Sequence, residues 1–213
     1  MKRIFTLLMI IVTVIAIVSC GKLKQYPAGP IESAAGGPDN STYPFESQAD
    51  VNMFSLSGTG FTALSYSTDV AYEGTGCVKL DCNFNAPNTA QGRLAIGNVV
   101  LSTLVGKTIT AAIWVPLGMD SYGGFFYFQL GASGNYAWYQ SPWININPSN
   151  GAVPGIWNVI SADVNSMTPA SGSGTAGTIA DTTQTITWGV VVGQGSTAPN
   201  YKGPMYIDSI NIK

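Results

Sequence analysis

Alternation is the feature that most limits what this chain can become. In CVKLDCNF (77–84), Val78, Leu80, Cys82 and Phe84 fall on one face, with Lys79, Asp81 and Asn83 on the other. KTITAAIWVP (107–116) opposes Ile109, Ala111, Ile113 and Val115 to Thr108, Thr110, Ala112 and Trp114. FFYFQL (125–130) sets Phe126, Phe128 and Leu130 against Phe125, Tyr127 and Gln129, and WININ (143–147) sets Ile144 and Ile146 against Trp143, Asn145 and Asn147. A period of two is the signature of a strand with one buried side. Further strands are expected at 158–164, 186–192 and 205–212, and no segment after residue 20 carries a convincing helical period. Short alternating strands divided by Gly, Pro and Asn turns specify an all-β sandwich or barrel. Residues 44–213 have the length of a single domain.

The beginning of the chain carries an address. Lys2 and Arg3 precede an uncharged apolar run over residues 4–18, which is a secretory signal and too short for a comfortable membrane span. It closes on Ile17-Val18-Ser19-Cys20-Gly21, which resembles the bacterial lipobox, whose Cys becomes the lipidated first residue of the mature protein. Residues 1–19 are thus expected to be a lipoprotein signal peptide. Cys20 would be the acylated (palmitate-type) anchor into a lipid bilayer, and more than one chain is what stable anchoring requires. Gly21 stands where an Asp would favour inner-membrane retention. The expected location is therefore the cell envelope, at the outer membrane or cell surface. Residues 20–43 are rich in Gly, Pro, Ala and Ser, without an apolar period, and read as a flexible tether.

Charge and cysteine content narrow the function. Loss of Lys2 and Arg3 with the signal leaves seven basic against eleven acidic residues, a net charge of −4. That acidity excludes a nucleic-acid partner, which needs a basic stripe. Charged residues are 9% of the chain, against roughly 25% in ordinary domains, so neutral polar residues must cover the surface. Cys77 and Cys82 lie five apart on opposite strand faces, which predicts two free thiols with Cys82 buried.

Histidine is absent, and with it any Ser-His-Asp or Cys-His device and any His-based zinc site. A glycosidase needs two carboxylates across a cleft, and Asp120 is the acid nearest in sequence to the ring-rich segment described next. The chain is therefore read as not an enzyme.

NYAWYQSPWININ (135–147) sets Tyr136, Trp138, Tyr139 and Trp143 among Asn, Gln and Ser without a charge. A sugar ring presents C–H groups on its faces and hydroxyls at its rim. Aromatic rings cover the first and amides bond the second. If the apolar faces of the strands form the core, Trp114, Tyr127, Gln129, Trp143 and Asn145 share the opposite side, as a neutral ligand surface.

The order PFES (44–47), DVAYEGTGCVKLDCNF (69–84), LVGKTITAAIWVP (104–116), the ring-rich segment, GIWNVISADV (155–164), ITWGVVV (186–192) and MYIDSINI (205–212) resembles a carbohydrate-binding module of the β-jelly-roll, galactose-binding-like kind. Such modules commonly accompany mannanases, cellulases and other polysaccharide hydrolases and bind neutral glycans without cleaving them; many hold a structural calcium. The resemblance implies a jelly-roll sandwich that binds without catalysis; carried on the lipoprotein tether, the chain is expected to be a monomer. Its partner would be neutral polysaccharide or oligosaccharide of the β-mannan, glucan or xylan kind. It implies Trp138 and Trp143 as stacking platforms, supported by Tyr136, Tyr139 and Trp114, with Tyr127, Gln129 and Asn145 as hydrogen-bonding groups. It implies Ca2+ at Glu46 and Asp208, with the turn around Glu73 adding oxygens. Two departures stand out: Leu130-Gly131-Ala132-Ser133 replaces a stretch that is often charged, and the loop at 166–184 is long. The competing function is a structural or adhesive lipoprotein that binds protein. Its interface would mix in Arg and bulky aliphatics.

Overall fold

The computed structural model describes residues 41–101, 104–130, 137–146, 153–169, 179 and 184–213. The leader, Cys20, Tyr136 and most of the 166–184 loop lie outside these residues. The strands anticipated from alternation form with modest changes at their ends: β4 (Cys77–Phe84), β6 (Thr108–Trp114), β7 (Tyr122–Leu130), β9 (Ile144–Ile146), β10 (Trp157–Asp163), β12 (Gln184–Gln194) and β13 (Tyr201–Ile212). The others are β1 (Ser41–Tyr43), β2 (Phe54–Gly58), β3 (Phe61–Ser67), β5 (Gln91–Leu101), β8 (Ala137–Gln140) and β11 (Thr168–Pro169).

All pairing is antiparallel, in two sheets. One runs β10-β6-β13-β4-β3, with β1 also on β13; the other runs β11-β8-β7-β12-β5-β2, with β9 also on β7. The inward residues of both sheets make one core in which Trp188, Phe84, Phe126, Phe128, Leu80, Ile109 and Ile113 are fully buried. Cys77 and Cys82 are both free and buried, and burial pushes each thiol up to about 12.

Two corrections concern the N-terminal side. The tether assigned to residues 20–43 ends earlier, because Ser41, Thr42 and Tyr43 pair with Ile212, Asn211 and Ile210. Tyr43 is what draws this stretch in: its ring packs 5.2 Å from Phe54 and 6.0 Å from Trp188. A single helical turn, α1 (Gln48–Val51), also forms where no helix was expected. It is too short to show a period, but Ser47 and Asp50 close a capping box: the Asp50 N–H donates to Ser47 Oγ, and the Ser47 N–H to Asp50 Oδ2.

Candidate functional site

The outward face of the seven-stranded sheet can be read from its register. Val191 pairs with Arg93 and Phe125, Gly189 with Ala95 and Tyr127, Thr187 with Gln129, and Gly193 with Gln91 and Gly123. Tyr127 pairs onward to Gln140, Gln129 to Trp138, and Gly123 to Asn145. Directly paired residues project to the same side, so these side chains share one surface. Small residues on β12 form its floor, and the larger groups of β5, β7 and β8 stand on either side.

On that floor Ala95, Phe125, Tyr127 and Val191 form a small apolar cluster, separate from the main core, with Trp138 packed against it. Trp138 stacks on Tyr127 with centroids 4.1 Å apart and planes 5° from parallel. Its indole N–H donates to Gln140 Oε1 at 3.3 Å. The guanidinium of Arg93 lies over the Trp138 ring, 5.1 Å from its centroid. Burial pushes the Tyr127 hydroxyl up to about 12, against the opposing pull of Arg93, so that hydroxyl is protonated at neutral pH.

Trp143 is set differently. Its ring lies across Gly123 and Gly193: a Cβ on Gly123 would collide with the indole, and one on Gly193 would come within 3.0 Å of it. Both positions need glycine for this close approach. Phe125 flanks the ring at 6.2 Å, and the indole N–H donates to Asn145 Oδ1 at 3.0 Å. Held in this way, Trp143 is still 45% exposed.

Beside Trp143 opens a depression of about 390 Å³ lined by Asn88, Gln91, Ser121, Asn145, Gly193, Gln194, Gly195, Ser196 and Thr197. No lining residue is charged. Gln194 builds one wall, since its amide nitrogen donates to Ala198 O (3.1 Å), Pro199 O (3.0 Å) and Asn200 Oδ1 (3.0 Å). The Tyr122 hydroxyl donates to the same Pro199 carbonyl at 2.7 Å. Sequence reasoning missed Asn88, Gln91, Ser121, Gln194 and Thr197. Loop amides and hydroxyls carry no period, and only the register of β5 and β12 brings them to Trp143.

The structure thus gathers Tyr127, Gln129, Trp138, Trp143 and Asn145 on one sheet face. Two expected members are elsewhere. Trp114 pairs with Trp157 and Tyr206 in the six-stranded sheet, so its outward face is on the other side of the sandwich; there it packs 5.8 Å from Trp157. Tyr139 pairs with Phe128 and points inward with it, 2% exposed in the main core. Tyr136 lies outside the described residues.

The three acids expected to bind metal meet around the Tyr72–Thr75 turn. Tyr72 N–H and Glu73 N–H donate to Asp208 Oδ2 at 2.8 and 3.2 Å, and Ser209 N–H to Oδ1 at 2.7 Å. Thr75 donates to Glu46 Oε2 through N–H (2.9 Å) and Oγ1 (2.8 Å), and Ser209 Oγ to Glu73 Oε2 at 2.9 Å. Burial pushes the Asp208 carboxyl up to about 7 against the three N–H donors, and the charge of Glu46 adds to the rise. Among the described residues neither Asp208 nor Glu46 has an ion-pair partner, so two neighbouring carboxylates lack a balancing cation. Their hard oxygens suit Ca2+ in chemistry. No group of three His, Cys, Asp or Glu side chains among the described residues is placed to hold an ion. An ion here would therefore rely on Glu46 and Asp208 together with carbonyls of the turn.

No protein-family model and no curated protein matches the sequence. Solved structures do. One is a carbohydrate-binding module from the β-sandwich superfamily, from work on promiscuous specificity. It is 21% identical with a TM-score of 0.57 over 84% of this chain, which spans 63% of that one. CBM27-1 of Caldicellulosiruptor saccharolyticus, in complex with mannohexaose, is 20% identical with a TM-score of 0.54, over 82% of this chain and 97% of that one. The CBM22-1 xylan-binding domain of Paenibacillus barcinonensis Xyn10C is 13% identical with a TM-score of 0.52, over 84% and 97%. The chain has the β-sandwich fold of carbohydrate-binding modules.

Proposed function

We propose that this sandwich is a non-catalytic glycan receptor, tethered to the cell envelope through Cys20, that binds polysaccharide along the outer face of its seven-stranded sheet. The observation that carries the reading is Trp143: a half-exposed indole lying across two glycines at the rim of a charge-free depression. A pyranose stacked on that ring would place its hydroxyls among Gln91, Asn145, Ser121 and Thr197. Fold likeness to modules solved with mannohexaose or described as xylan-binding supports the same class of ligand. The anchor and the β-linked backbone rest on the sequence reading above.

Titration of the chain with mannohexaose, xylohexaose and cellohexaose is expected to give at least one Kd of about 10⁻⁶ to 10⁻³ M, since a few stacked sugars bury limited area. Incubation with mannan, xylan and glucan should release no reducing ends. A panel without any binder removes the reading, and release of reducing ends replaces it with catalysis.

We further propose that Ca2+ at Glu46 and Asp208 ties the start of the domain to its last strand. Calcium bound there would supply the positive charge that the two carboxylates lack. At 100 times its Kd, calcium adds about 2.7 kcal/mol. At about 2–4 °C per kcal/mol for a domain of this size, the melt in calcium should lie about 5–10 °C above that in EDTA. Superimposable melts argue against the site.

A further inference from the structure

The seven strands of the glycan-facing sheet carry one charged side chain among them, Arg93 on β5. None carries Asp or Glu, and among the described residues Arg93 has neither an ion pair nor a hydrogen bond. Its Nε is buried without an acceptor, and its guanidinium rests over Trp138. Cation–π contact offsets part of the cost of covering the charge, but it leaves the N–H donors unused. Burying an unmatched donor on a cation is costly.

Resting on the carbohydrate reading and deepening it, we propose that Arg93 makes this sheet face selective for a glycan bearing a carboxylate, a uronic acid within or branching from the chain. Hydroxyls elsewhere on this face would be served by amides such as Gln91, Gln129 and Asn145. A guanidinium in their place offers a planar fork that matches a carboxylate, in charge-assisted bonds about twice as strong as neutral ones. The position also fits. Arg93 is two residues along β5 from Gln91 in the Trp143 depression, about 7 Å at roughly 3.4 Å per residue, so it would address a sugar adjoining the one on Trp143.

The test compares matched pairs on the intact chain in low salt: mannohexaose against β-1,4-linked hexamannuronate, and xylohexaose against the same oligomer carrying one glucuronosyl branch. In at least one pair the acidic member should bind about tenfold or more tightly, as one charge-assisted bond of about 1.5 kcal/mol gives. The advantage should shrink in 0.5 M NaCl. Arg93→Gln should bring that ratio to about one, and Arg93→Lys should keep part of it. Equal affinity within both pairs in the unmodified chain, or a preference that survives in Arg93→Gln, overturns the inference and leaves the glycan reading standing. Failure of all four probes and of cellohexaose overturns both. The matched pairs decide the question on the unmodified chain even if a variant folds poorly.

Discussion

Replacing Trp143 by alanine is expected to weaken glycan binding about 30-fold and to lower the melting temperature by no more than about 5 °C. The first number follows from area. A large aromatic side chain offers about 150–250 Å² in all, and Trp143 keeps 45% of its surface exposed, so a sugar can cover roughly 80 Å². At about 25 cal/mol per Å² that is about 2 kcal/mol, and every 1.4 kcal/mol is about tenfold. The second number follows from what lies under the ring. Its covered side rests on Gly123 and Gly193, with Phe125 at its flank, and none of the fully buried core depends on it. Gly123→Val should reproduce the binding loss with the indole still present, because the new side chain would occupy the place of the ring. Calorimetry with the best ligand of the hexaose panel, together with a melt, checks both variants. Unchanged affinity in Trp143→Ala would move the binding surface away from this ring. Trp138 is a less open platform than the sequence suggests, since Tyr127 is stacked on it and Arg93 lies over it.

Period-two alternation reports which side of a strand is buried, and that much was legible. The inward sets of β4, β6 and β7 are the ones the sequence separates, and Trp138, Trp143, Tyr127, Gln129 and Asn145 do emerge on one face. Alternation does not report which of two sheets a strand joins. Trp114 faces outward as expected, but β6 belongs to the six-stranded sheet, so its ring is separated from the others by the full thickness of the sandwich. In the four residues of β8, Trp138 and Tyr139 are neighbours and cannot share a face. No flanking pattern says which of them turns in; pairing of Tyr139 with Phe128 decides it. The depression beside Trp143 depends on loop residues and on glycines in two strands, and neither leaves a hydrophobic trace in sequence. Arg93 could have been found. A lone charge in QGRLAIGNVVL is unusual for a strand of an otherwise uncharged sheet.

Tyr139 separates the core from the binding face most sharply, and its two substitutions should behave in opposite ways. The ring is 2% exposed, lies in the main core and pairs with Phe128. Truncating a buried aromatic removes its transfer energy and leaves a cavity, together about 3–5 kcal/mol. For a domain of this size Tyr139→Ala should therefore melt about 6–20 °C lower. The hydroxyl has a different ledger: it is buried and has no hydrogen-bond partner among the described residues. Burial also raises the pKa of the phenol, so at neutral pH it stays protonated and uncharged. An unmatched buried polar group costs about 1–3 kcal/mol, so Tyr139→Phe should melt no lower than the parent and up to a few degrees higher. Its affinity for the best hexaose should equal that of the parent, because the ring points away from the sheet face that holds Trp143. A Phe variant that keeps its melt but loses binding would mean that the hydroxyl reaches the ligand. In that event β8 would be turned over relative to β7, and Trp138 rather than Tyr139 would belong to the core.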